Sequence, residues 1–237
     1  MNFQTFFSES FKDLPEETLS QIHQFSRKLS QIQEPPTKKT SLGSISVVNR
    51  ETNRVKNIPL VLSPEDISAV GEWTGKQIVL YWKGIQNLNA ANLEKFLVHE
   101  VWHGVQHYKD TSATYDDAIT TIKAGGLAYR KDYFLEPAEF EAHLGTLRFH
   151  LINHLKRVRT STLEVQRSDA QWSKQKTLFL KDLEQFIRTP LKRTIKSLPK
   201  WIIDDKNFLV ACLESPKHLK LLKSRLFQVW SELSNLS

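Results

Sequence analysis

Cysteine is almost absent from this chain: Cys212 is the only one in 237 residues. An intrachain disulfide framework is therefore excluded, and a lone thiol fits a reducing compartment. Cys212 also lies far in sequence from the histidine-rich stretch described below, which disfavours a thiolate metal ligand. No apolar run approaches the roughly 20 residues of a membrane span. The opening residues, MNFQTFFSESFKDL, lack a basic head followed by an apolar core. No secretory signal is expected from them, and the expected location is cytoplasmic, without membrane association. No internal repeat and no base-reading nucleic-acid motif stands out.

Charge is present but uneven. The net charge is +7. Residues 1–147 carry 15 Lys/Arg against 18 Asp/Glu, a net −3, whereas residues 148–237 carry 18 against 8, a net +10. Such asymmetry suggests a basic module that faces a partner, with nucleic acid as one candidate. A solvated basic helical surface explains it equally well. The length suits one large domain or two small ones.

Local patterns divide the chain. Residues 15–32 place Leu19, Ile22, Phe25, Leu29 and Ile32 at helical spacing, with Pro15, Glu16 and Glu17 suited to a first turn. Residues 33–41 contain Pro35-Pro36 and read as a linker. Short β-branched runs at 44–48 and 57–62 read as strands, and Ser63-Pro64 opens a turn or short helix. Residues 71–75 read as a bend, and 76–82 (KQIVLYW) as the best strand. Residues 77–82 are a candidate to run along a cleft and pair with extended peptide, against the plainer reading of an interior strand. A short helix is expected at 118–123 and a bend at Gly125-Gly126. Helices are expected at 137–150, 164–189, 207–214 and 218–236, and the loop 191–200 is basic.

The chemistry concentrates in residues 93–108, LEKFLVHEVWHGVQHY, which hold His99-Glu100-Val101-Trp102-His103. On a helix, His103 lies about 40° round from His99 and one turn further on. Two imidazoles so related can share one Zn²⁺. Glu100 sits about 100° from His99, too far for an easy third ligand but close enough to take a proton from an attacking water. Leu97, Val98, Val101, Trp102, Val105 and Tyr108 fall on one broad arc, which leaves Phe96, His99, Glu100, His103 and His107 on the other. Asn89 or Asn92 would cap this helix. The plainer reading is a surface helix with two incidental histidines.

With the downstream run Glu136–His143 (EPAEFEAH), the HEVWHGVQH stretch resembles the zincin metallopeptidases, in the branch whose third ligand is a glutamate on a later helix, the gluzincin arrangement. The resemblance spans about residues 58–150. It implies Zn²⁺ held by His99, His103 and a downstream glutamate, with Glu100 as general base in peptide-bond hydrolysis. Glu139 matches a Glu-x-x-Ala pattern, and Glu141 a Glu-Ala pattern; Glu139 is favoured, and the two cannot face one metal from a regular helix. The position four after the ligand is often acidic in such proteins and supports a metal histidine. Here it is His143, an alternative ligand or hydrogen-bond donor. Tyr133 is a candidate to stabilise an oxyanion, and His107 to line the pocket. The chain is not metzincin-like, because Gly104 follows His103 directly.

The expected class is α+β: zincin-like, mostly helical, with a small sheet packed on the metal-binding helix. The expected parts are a helix and linker at 1–43, a metallopeptidase core at 44–150 and a basic helical region at 151–237. A zinc peptidase acting on a protein or peptide is the leading reading. The alternatives are an inactive zincin-fold binding protein, which the intact Glu100 disfavours, and a nucleic-acid-associated protein recruited through its basic C-terminal helices.

Overall fold

The structure, a computed structural model, describes residues 14–49, 54–109, 131–164, 169–188 and 206–235. The expected helix at 118–123, the Gly125-Gly126 bend and the basic loop 191–200 lie outside the described residues. The chain is α+β and divides into two compact units, Met1–Ala124 and Gly125–Ser237. Among the described residues no helix is long and apolar enough to cross a membrane.

The first unit is a four-stranded sheet with helices. Helix α1 (Glu16–Leu29) carries Glu16 and Glu17 in its first turn and Arg27 and Lys28 in its last, both signs favourable to the helix dipole. Strands β1 (Thr40–Asn49) and β2 (Arg54–Ser63) form an antiparallel hairpin. Strand β3 (Gly71–Trp73) and strand β4 (Ile78–Tyr81) are antiparallel to each other, while β2 and β4 run parallel. The strand order is β1-β2-β4-β3.

Alternation explains the hairpin. Ile45, Val47, Ile58, Leu60 and Leu62 are buried, while Asn57 and Pro59 between them are exposed. The register changes between Ser41 and Gly43, where Gly43 has φ +114°, a conformation that side chains disfavour. Strand β4 is buried along its whole length, as its continuous apolar run IVLY requires of an interior strand.

That position corrects one expectation. The stretch 77–82 is not free to pair with extended peptide, because β4 is bonded to β2 on one side and β3 on the other. The edges are β1 and the short β3, and β3 occupies part of the segment read as a bend. Part of the β1 edge is covered by α1. Thr18 donates to the Ser46 carbonyl at 2.8 Å, and the Ser46 N–H donates to Gln21 Oε1 at 2.8 Å. These bonds occupy backbone groups that would otherwise invite another strand.

Among its described residues this unit has two further helices, the short α2 (Trp82–Ile85) and α3 (Ala90–Lys109), which contains the histidine motif. Leu93, Leu97, Val98 and Val101 of α3 are fully buried. Each contributes about 1.5–3 kcal/mol over leaving it exposed. Helix α3 packs on α1 and β3.

The second unit is helical: α4 (Lys131–Leu135), α5 (Pro137–Glu164), α6 (Asp169–Arg188), α7 (Lys206–Leu213) and α8 (Pro216–Ser234). Its core combines Phe140, Leu144, Leu147, Leu151 and Leu155 of α5 with Phe179, Leu183 and Phe186 of α6, Phe208 of α7, and Leu222, Leu226, Val229 and Leu233 of α8. Helix α8 lies antiparallel to α6. Trp230 Nε1 donates to the Leu180 carbonyl at 3.0 Å, and Lys176 Nζ to the Ser234 carbonyl at 3.1 Å. The buried Arg148 guanidinium is paired with Glu232 at 2.6 Å.

Candidate metal centre

Helix α3 starts where its sequence provides a cap. Asn89 Oδ1 accepts the Asn92 N–H at 2.9 Å, which satisfies one of the unpaired donors of the first turn. About four turns on, the helix is pressed against β2. A Cβ on Gly104 would overlap Ile58 Cδ1 and lie 3.7 Å from Trp73 Cη2. The glycine therefore lets the backbone beside His103 approach the sheet.

Between cap and glycine the helix brings His99 and His103 together. Their Nε2 atoms are 3.1 Å apart, and their rings meet nearly perpendicularly, with centroids at 4.7 Å. Two nitrogens on a tetrahedral zinc, each at about 2.0–2.1 Å, stand about 3.3 Å apart. The observed spacing fits that demand within a few tenths of an ångström. His103 is 4% exposed and Glu100 7% exposed, so both are withdrawn from bulk solvent, while His99 is half-buried.

A residue that the sequence pattern did not single out fixes the orientation of His103. His103 Nδ1 lies 3.0 Å from Gln106 Oε1. An amide oxygen only accepts, so Nδ1 carries the proton and Nε2 the lone pair. The i to i+3 spacing is the signal that points to Gln106. The backbone of α3 continues through His107; that side chain lies outside the described residues.

In the second unit α5 carries Glu139, Glu141 and His143, all half-buried. Glu141 has a charged neighbour in its own unit. Burial of Arg225 on α8 lowers the guanidinium pKa, and the Glu141 carboxylate opposes that shift by favouring the cation. His143 stacks on Phe208 with centroids 5.0 Å apart and 16° between planes, and lies 5.1 Å from Phe134. Tyr133 meets Phe134 edge to face at 5.2 Å. Thr146 is buried and donates to the Ala142 carbonyl at 2.8 Å.

Compared with models of known protein families, with curated proteins and with solved structures, the chain matches none.

Proposed function

We propose that this chain is a zinc-dependent metallopeptidase of zincin-like fold, with His99, His103 and Glu139 as ligands and Glu100 as general base. The observation that carries the reading is the 3.1 Å approach of two Nε2 atoms on one helix, beside a buried carboxylate. Glu139 is preferred to Glu141 as third ligand because Glu141 has the buried cation Arg225 to neutralise.

When bound, zinc supplies Lewis acidity: it polarises a carbonyl and makes a water acidic near neutral pH. His99 and His103 bring their Nε2 atoms together, and Gln106, by accepting the hydrogen bond of the His103 Nδ1–H, keeps the His103 lone pair on Nε2. Glu100, adjacent to His99 and withdrawn from solvent, accepts the proton of the attacking water and returns it to the leaving amine. The glutamate ligand lowers the net charge of the site. A His₂Glu donor set favours zinc over harder cations.

A broad peptide library incubated with metal-loaded protein tests the activity. Cleavage should stop on chelation, return with zinc, and fall by roughly 10²–10⁴-fold in Glu100→Gln, the contribution ordinarily made by a positioned acid–base group. Metal-loaded protein that cleaves nothing in the library, or Glu100→Gln that cleaves as wild type does, would contradict it.

A further inference from the structure

In the zincin resemblance, the residue four positions after the third ligand is often a carboxylate that supports a metal histidine. Here that position is His143, whose ring is stacked on Phe208 within its own unit. His103 has support from its own helix. Gln106 Oε1 stands 3.0 Å from His103 Nδ1, one turn further along α3. His103 itself is 4% exposed, so a contact at Nδ1 counts for more than it would in water.

We propose that Gln106 is the positioning residue of this centre. It holds His103 as the Nδ1–H tautomer, which would present the Nε2 lone pair to an ion, and it does so with a neutral amide. The inference rests on the zinc reading and deepens it. A carboxylate at this place would draw the Nδ1 proton and make Nε2 a stronger donor. An amide fixes the ring without that gain.

The test compares wild type with Gln106→Leu and Gln106→Glu in the full chain. Zinc affinity is read by competition with a chromophoric chelator, and the His103 tautomer by ¹⁵N chemical shifts of the metal-free protein. Far-ultraviolet circular dichroism checks that α3 persists. Gln106→Leu should weaken zinc binding by roughly 10–100-fold and let His103 populate both tautomers. Gln106→Glu should retain the tautomer and bind zinc more tightly than wild type. Wild-type protein that binds zinc, with Gln106→Leu equal to it in affinity and tautomer, would overturn this proposal alone. Wild-type protein that binds no zinc would overturn the zinc reading, and the tautomer comparison would still decide whether Gln106 orients the ring.

Discussion

Ile58 and Gly104 meet so closely that a single added methyl group on the glycine would overlap the isoleucine Cδ1. The contact ties the helix turn carrying His103 to the middle of strand β2, where Ile58 is fully buried. Alanine gains roughly 1 kcal/mol over glycine in helix propensity, whereas overpacking a filled core costs about 1–3 kcal/mol. Gly104→Ala should therefore lower the unfolding free energy measured in denaturant. Adding Ile58→Val removes the overlapping carbon and should recover part of the loss. Stabilisation by Gly104→Ala alone would show that the helix has room to spare.

Glu141 and Arg225 make a second test, within the helical unit. Arg225 is 5% exposed, and Glu141 supplies charge that opposes the cost of burying it. Glu141→Ala should destabilise the protein by about 1–3 kcal/mol, less than the loss of a fully buried partner because Glu141 is itself half-buried. Replacing Arg225 by Met in the same protein should make the Glu141→Ala effect much smaller. Equal effects in both backgrounds would remove the coupling between the two residues.

His218 sets a pH dependence. Burial lowers its pKa below the ordinary 6.5, helped by the neighbouring Lys217 and opposed by its hydrogen bond with the Leu135 backbone. Its Nδ1 also lies 2.8 Å from Ser215 Oγ. The unfolded chain then binds this proton more readily than the folded one, so stability rises with pH across the window below 6.5. On acidification, the stability contributed by neutral His218 should be lost from about pH 6.5 down to its folded pKa. The thermal midpoint of His218→Gln should fall less steeply over that interval than that of wild type. A steeper fall would give the shift the opposite sign.

Cys212 is fully buried, and burial pushes its thiol pKa up to about 12. Thiolate is then scarce at neutral pH. A thiol reagent such as dithionitrobenzoate should label it no faster than the protein opens, and at once in denaturant. Rapid labelling of the native protein would contradict its burial.

Much of the secondary structure was legible, for identifiable reasons. Ile22 and Leu29 announced α1 by helical spacing, and the β-branched runs at 44–48 and 57–62 announced two strands, whose pairing as a hairpin was not read. Asn89 marked the start of α3 as a capping residue does. The position of β4 inside the sheet was not legible, because a short apolar run suits an interior strand and a cleft-lining strand alike. Strand β3 was hidden because three residues beginning with Gly71 carry no period. Helix α5 runs on to Glu164, since no glycine or proline interrupts residues 151–164.

In the site, the pairing of His99 with His103 follows from helix geometry and was readable. Sequence pattern alone favoured Glu139 over Glu141; the charged neighbour of Glu141, Arg225, lies on another helix and was not readable from it. Gln106 was not singled out in the sequence, and its 3.0 Å distance to His103 brings it in.

The most direct measurement is the zinc content of purified wild-type protein beside His103→Ala, Glu139→Ala and Glu141→Ala, after dialysis against dilute zinc and then buffer. One zinc per chain in wild type and in Glu141→Ala, with zinc lost from His103→Ala and Glu139→Ala, is the predicted result. Wild-type protein that retains no zinc, or retention undiminished by His103→Ala, would contradict the account.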